Sequence, residues 1–244
     1  MIRPGERLDE LQPGDLHILQ KEKGFRFGMD AVLLADFARV PPRATVADFG
    51  TGTGILPLLL YSRNKGSRFH AFELQEEMAE MASRTMRING LEQIVTVHAL
   101  SVERAEEVLP PGSLDCIISN PPYGKPGGTL KNPEDSRSLA RHQPEQGLDA
   151  WFAMAARLLK SKGHMAVVYP APEMLSLMEM MARHRLEPKR FRLVYPREDK
   201  PANLVLVEAV RGARPMLHPE PPLIVYSAED RPTPELRRIY RECI

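Results

Sequence analysis

Thr45-Val46-Ala47-Asp48-Phe49 is a short apolar run that gives way at once to Gly50-Thr51-Gly52-Thr53-Gly54 and then to the apolar stretch Ile55 to Tyr61. Buried strand, glycine turn and helix in that order constrain the fold more than any other feature of the chain. The glycines permit a tight turn and a close approach of backbone to a ligand, and a helix N-terminus presents N–H groups with no partner of their own. The spacing is G-x-G-x-G rather than the G-x-G-x-x-G of dinucleotide binders, and Asp48 precedes the turn. An acid there suits a cationic amino acid moiety better than a pyrophosphate. Nineteen residues beyond Gly54, a second strand from Arg68 ends in Glu73, where a carboxylate can accept both hydroxyls of a ribose. The plainer reading of Glu73, a first-turn acid on a helix that also carries Glu76, Glu77 and Glu80, stays open.

Downstream the alternation continues. A helix is expected from Glu76 to Asn89, with Met78, Met81, Ala82, Thr85 and Met86 on its apolar face and Asn89-Gly90 as its stop. Strands follow at 94–99, 114–119, 164–169, 190–195 and 203–210, with helices at 102–109, 148–160 and 173–184 between them. Alternation of this kind predicts an α/β fold with a seven-stranded, mostly parallel sheet covered on both faces. The connection Pro196 to Ala202 is too short to hold a crossover helix, so the last two strands are expected to pair antiparallel.

The strand at 114–119 delivers Asn120-Pro121-Pro122-Tyr123. Two prolines stiffen the loop and leave the Pro121 carbonyl able to point at a ligand. With the Asn120 amide it makes two acceptors for the hydrogens of a planar amine, and Tyr123 offers a ring to stack on the group that carries it. The lone pair of an exocyclic amine is delocalised, so two acceptors that draw its hydrogens out of plane favour attack by positioning. The pattern therefore points to methyl transfer onto an adenine N6 or a similar sp² amine. A sulfonium donor brings its own leaving group, and no strong base is required. The bland reading is a Pro-rich strand exit with a surface Tyr.

At 244 residues, 43% of them hydrophobic, the chain holds one α/β domain and a small appendage. No apolar stretch approaches the roughly 20 residues of a membrane span, and Met1 to Glu6 carries no secretory apolar region. Cys116 and Cys243 fit neither a disulfide framework nor a metal site. A cytoplasmic, metal-free protein is expected. Residues 1–44 form an N-terminal extension before a domain at 45–244. In it Leu16 to Gln20 and Gly24 to Phe27 read as a hairpin, and Met29 to Ala38 as an amphipathic helix over one end of the sheet.

Charge is uneven. Residues 46–123 carry six Lys or Arg against ten Asp or Glu, whereas 183–200 carry seven against three, among them Arg185, Lys189, Arg190 and Arg192. Lys125, Lys131, Arg137 and Arg141 add a second basic stretch. Both can lie near the C-terminal ends of the strands and serve as phosphate contacts for a nucleic acid, the alternative being a solvated charged face. His142 reads as an ordinary surface or core imidazole.

Taken together, the Asp48 to Gly54 turn, Glu73 and Asn120 to Tyr123 resemble the motifs of class I S-adenosylmethionine-dependent methyltransferases that act on amino groups. More narrowly, Glu6 to Asp9, the run Phe25 to Ala35, Arg141-His142 and Pro221 to Tyr226 resemble the bacterial tRNA(Val) adenine-37 N6-methyltransferase family, over nearly the whole chain. The resemblance implies a Rossmann-like fold, S-adenosylmethionine as cofactor and a tRNA anticodon loop as substrate. It places Asp48, Gly50, Thr51, Gly52, Gly54, Glu73, Leu74, Leu100, Ser101 and Asp30 about the cofactor. Asn120, Pro121, Pro122 and Tyr123 fall at the adenine, and Phe27 and Lys125 on the substrate side. Leu100 stands where many relatives have an Asp, which moves that part of cofactor binding to backbone N–H groups, Ser101 or Glu103. The rivals are a release-factor glutamine methyltransferase, a ribosomal RNA or DNA amino-methyltransferase, and a catalytically silent S-adenosylmethionine- or RNA-binding module.

Overall fold

The structure, a computed structural model, describes residues 2–11, 16–23, 28–122 and 144–241, without side chains at 144–146. The chain opens with β1 (Glu6–Leu11), β2 (Leu16–Lys21) and α1 (Met29–Phe37). Then come β3 (Thr45–Phe49), α2 (Ile55–Ser62), β4 (Arg68–Glu73), α3 (Glu76–Ile88), β5 (Val95–Ala99), a 3-10 turn (Val102–Glu107) and β6 (Leu114–Ser119). The second half runs α4 (Pro144–Leu158), β7 (Leu159–Pro170), α5 (Met174–Arg183), β8 (Leu186–Tyr195), β9 (Leu204–Arg211), β10 (His218–Pro219), β11 (Leu223–Ile224) and α6 (Pro234–Arg241).

The main sheet has the order β10-β8-β9-β7-β6-β3-β4-β5, with β11 also on β8. β3 to β7 are mutually parallel, and β9 enters antiparallel between β7 and β8. The antiparallel pairing of the last two long strands follows from the short 196–203 connection, as expected. The seven long strands of the sequence reading are joined by two-residue β10 and β11, which the tail adds along the edge of β8. From β3 the chain winds first through β4 and β5 and later through β6 and β7 on the other side. The crevice at the carboxyl ends of β3 and β6 is therefore the switch point where an open α/β sheet binds ligands.

Strands buried on both faces read as continuous apolar runs, and β3 is such a strand. Its alternate residues divide between two cores. Val46 joins α1, α2 and α6 on one face, while Ala47 and Phe49 join α4 and α5 on the other. Phe49 is fully buried and meets Phe72 and Trp151 edge-on at 5.9 and 6.2 Å, so truncating it to Ala costs about 3–5 kcal/mol.

The N-terminal segment gains a strand and alters one expectation. β2 pairs with β1, Leu8 opposite Leu19, while its expected partner Gly24 to Phe27 lies outside the described residues. Long-range contacts fix this pairing. Arg84 of α3 forks between Glu6 and Glu80, and its guanidinium holds the Glu6 carboxyl down at about 2. Asn89 accepts the His17 N–H at 2.8 Å and donates to the His17 carbonyl at 2.7 Å. α1 is apolar nearly all round rather than amphipathic, with Ala31 to Ala35 and Phe37 buried. It is built into the core against α2, α6 and β7, and this embedding fixes where its first turn stands.

Candidate active site

The glycine turn is shaped by its backbone. Gly50, Gly52 and Gly54 all have positive φ, at 77°, 57° and 89°, a region that side-chain-bearing residues rarely enter. The N–H groups of Gly50 and Thr51 both donate to the Phe72 carbonyl, at 3.0 and 2.9 Å, which locks the turn to β4. A Cβ on Gly50 would stand 2.9 Å from Trp151 Cη2, and one on Gly54 would run into Met86. One on Gly52 would meet nothing within 4 Å. Among the described residues, the Gly52 side of the turn is thus the open one, where backbone can lie against a ligand.

Two carboxylates flank the turn. Glu73, 9% exposed, accepts the Gly52 N–H at 2.9 Å with one oxygen and the Gln75 N–H at 2.9 Å with the other. It ties the turn to the start of α3, and each oxygen keeps a lone pair for a further donor. Asp48 is 1% exposed, and among the described residues neither of its oxygens nor the buried Thr51 hydroxyl has a hydrogen-bond partner. Burial pushes the Asp48 carboxyl up to about 7; the nearby Thr51 hydroxyl draws it partly back and the Glu73 charge pushes it further. A buried unpaired carboxylate is costly and awaits a cationic or N–H-bearing group.

At the ends of β4 and β5 the register sets Glu73 opposite Ala99, which brings Leu74 beside Leu100. Leu74 is 69% exposed and Leu100 partly buried on the α4 face, an apolar pair suited to a flat ring. Ser101 donates to Glu103 at 2.6 Å. The residues present therefore fit S-adenosylmethionine: Glu73 for ribose hydroxyls, Asp48 and the turn for the amino acid end, and Leu74 with Leu100 for the adenine.

The acceptor side stands next to it. Asp48 pairs with Ile118 and Phe49 with Ser119, so Gly50 and Asn120 are the next residues on adjacent strands. The buried Ser119 hydroxyl donates to the Phe49 carbonyl at 2.8 Å and clamps the two strand ends. Asn120 Nδ2 donates to Asp30 Oδ2 at 3.0 Å. Pro121 is buried and Pro122 exposed. Tyr123, Lys125, Arg141 and His142, with Phe27, lie outside the described residues. Sequence reasoning missed Trp151, whose one signal was that the chain has a single tryptophan.

The expected basic patch on β8 is not assembled. Arg190 is 6% exposed and spans Glu208, Glu220 and the Phe37 carbonyl, its guanidinium 3.8 Å over the Phe37 ring. Arg192 donates to Glu235 and the Pro221 carbonyl, and Lys189 to the Arg214 carbonyl at 3.0 Å. Glu187 pairs with Val210, Val210 with His164, His164 with Cys116 and Cys116 with Val46. Arg185 therefore sits at the amino ends of the parallel strands, the edge opposite the glycine turn. Among the described residues no three His, Cys, Asp or Glu gather to hold a metal ion, and no helix is long and apolar enough to cross a membrane.

Residues 28–185 match the model of the methyltransferase small domain family. The chain is 31% identical over 216 residues, 87% of each chain, to the tRNA1(Val) (adenine(37)-N6)-methyltransferase of Aeromonas hydrophila subsp. hydrophila. The chain belongs to this methyltransferase family. Among solved structures, a predicted O-methyltransferase of Agrobacterium tumefaciens superposes with a TM-score of 0.70 at 24% identity, over 88% of this chain and 97% of that one. A geranyl diphosphate methyltransferase in complex with SAM superposes with a TM-score of 0.54 at 18% identity, over 75% of this chain and 84% of that one. These likenesses establish the class I methyltransferase fold, and family membership makes the chain an enzyme of methyl transfer.

Proposed function

We propose that the protein methylates N6 of an adenine in tRNA, at adenosine 37 beside the anticodon of a valine tRNA, with S-adenosylmethionine as donor, in the cytoplasm. The observation that carries the reading is the adjacency of Gly50 and Asn120 across the β3–β6 register, which sets a cofactor turn beside an amine-holding loop.

S-adenosylmethionine supplies an electrophilic methyl group on a sulfonium leaving group. Asn120 and the Pro121 carbonyl accept the two amino hydrogens, and this turns the nitrogen lone pair out of conjugation and toward the donor. Tyr123, outside the described residues, is the residue assigned to stack on the base. Positioned acceptors contribute through orientation and electrostatics, and the proton leaves after transfer. The donor would be held by the Glu73 carboxylate at its ribose and by the Asp48 carboxylate at its amino acid end.

Phosphate contacts fall to basic residues other than those of β8. α6 starts at the active-site edge, since the Thr233 N–H donates to the Val225 carbonyl and the Val225 N–H to the Tyr195 carbonyl, but it runs away from that edge: the Ile239 carbonyl accepts from Arg63 at the end of α2, and Arg238 stands 4.0 Å from Asp36 in the last turn of α1. It buries Leu236 and Ile239 and exposes Arg237, Arg238, Tyr240 and Arg241. The phosphate contacts are therefore assigned to Lys125, Lys131, Arg137 and Arg141, which follow the amine-holding loop in the sequence and lie outside the described residues. A release-factor glutamine methyltransferase would share the amine-holding loop but would have no use for such a basic stretch. Nucleoside mass spectrometry of valine tRNA from a strain lacking the protein tests the assignment. Loss of N6-methyladenosine at position 37 is expected, and its retention there would refute the site and the substrate.

A further inference from the structure

We propose that Asp30 is a positioning residue for methyl transfer: it fixes which way round the Asn120 amide faces the acceptor. The inference rests on the proposed function, in which Asn120 accepts a hydrogen from the target amine.

An asparagine amide is nearly symmetrical in shape and opposite in polarity at its two ends. Flipped, it would aim two N–H donors at an amino group that is itself a donor, and the acceptor would be lost. Something must distinguish the two orientations, and a carboxylate does so, because it accepts and cannot donate. Asp30 Oδ2 takes Asn120 Nδ2 at 3.0 Å, which leaves the amide oxygen on the other side. The flipped amide would bring its oxygen against the carboxylate.

Asp30 is itself held. Its other oxygen accepts the Ala31 N–H at 3.0 Å, in the first turn of α1, where Gly28 as N-cap offers no side-chain cap. A negative group is favoured there by the helix N-terminus. α1 is anchored by its buried Ala31, Val32, Leu33 and Leu34, so the carboxylate rests on a rigid element, as a supporting group must. The space it occupies depends on Gly28: a Cβ at that position would lie 2.6 Å from Asp30 Oδ1. Gly28 has φ −102° and ψ −179°, extended backbone that alanine adopts freely. The glycine is required by the carboxylate and not by the turn.

Three variants separate this role from its rivals, each assayed on the same tRNA with thermal unfolding as a check on folding. Asp30→Ala is expected to lower kcat about 10- to 100-fold, the effect of losing one charge-assisted hydrogen bond, with cofactor Kd and tRNA KM within about threefold. Asp30→Asn keeps an acceptor for Asn120 Nδ2 and is expected to recover most of kcat with an unchanged acid limb of the pH profile. Gly28→Ala displaces the carboxylate without removing it and is expected to reproduce a large part of the Asp30→Ala loss. A normal kcat in Asp30→Ala overturns the proposal. So does an Asp30→Asn enzyme as slow as Asp30→Ala with its acid limb gone, which would make Asp30 a base. A cofactor Kd that rises in step with the loss of kcat would make it a cofactor ligand instead. Asn120→Ala runs beside them. If it keeps full turnover, the proposed function has failed; if it loses turnover while Asp30→Ala does not, only the present inference has.

Discussion

Asp48 and Glu208 occupy one row of the sheet, linked by the register Asp48 to Ile118 to Ala166 to Glu208, and are 1% and 2% exposed. Glu208 is saturated: Arg190 donates to both its oxygens at 3.0 Å, the Arg39 N–H adds a third bond at 3.0 Å, and His164 stands 3.4 Å away. Burial would raise its carboxyl, but these partners hold it at about 2. Asp48 has the same burial and no such partners, and stands at about 7. A buried carboxylate held by a guanidinium and a backbone N–H belongs to the scaffold, whereas one without such partners among the described residues is suited to a cationic ligand group. The molecule divides accordingly into a cofactor half at β3 to β5 and a self-satisfied half at β7 to β9.

The largest way to break that division is Arg190→Met, which strands Glu208. A loss of about 3–5 kcal/mol in urea unfolding is expected, with cofactor affinity of the folded enzyme unchanged by calorimetry. Loss of affinity in parallel would show that the halves are not separable. Glu73→Ala acts the other way. It removes the partner of the Gly52 N–H and the expected ribose ligand, and should raise the cofactor Kd roughly 10- to 100-fold while the fold survives. Normal binding would remove Glu73 from the site.

Asp48→Asn sharpens the contrast through pH. Between the ordinary value of 3.8 and the folded value of about 7, the unfolded chain ionises and the folded one does not, so this group's contribution to stability falls as pH rises through that window. Binding a cationic group favours the ionised form, so cofactor affinity should fall on acidification below about pH 7. The Asn variant is expected to lose both slopes, bind the cofactor about tenfold more weakly at pH 8, and be no less stable there. Glu208 has the opposite sign: its folded value lies below the ordinary 4.5, so its contribution is full above that pH and lost toward about pH 2. An Asp48→Asn enzyme whose affinity still follows pH would assign the titration elsewhere.

How much of this was legible in the sequence follows from the range of each signal. The glycine turn, Glu73 and the Asn120 loop are local patterns whose spacing carries their geometry, and family and fold were read from them. The burial of Arg190 is not legible because the run Lys189-Arg190-Phe191-Arg192 does not say which face of β8 is covered. The covering pieces, Phe37 of α1 and Glu220 of the tail, are 153 and 30 residues away. β1 was missed for a similar reason: Glu6-Arg7-Leu8-Asp9-Glu10-Leu11 lacks strand alternation, and its place is fixed by Arg84 and by Gln20, which donates to Asp9. No sequence signal joins Asp30 to Asn120, 90 residues on, so their hydrogen bond is legible only in the structure.

The smallest effects concern RNA. Replacing Lys125, Lys131, Arg137 and Arg141 together should lower the log-log salt slope of tRNA binding by up to about 3, and replacing Arg185 should leave it unchanged within about 0.5, because Arg185 lies at the far edge of the sheet. Filter binding across a salt series compares the two. The reverse pattern would return the interface to β8.

The central claim, methyl transfer to an adenine amine held by Asn120, is tested most directly by incubating wild type and Asn120→Ala with total tRNA and methyl-labelled S-adenosylmethionine, and reading the nucleosides by mass spectrometry. Label is expected in N6-methyladenosine with the wild type, and at a rate lower by about 10²- to 10³-fold with Asn120→Ala, at a donor affinity within a few fold. Label in a different nucleoside, or an undiminished rate in the variant, would contradict the account.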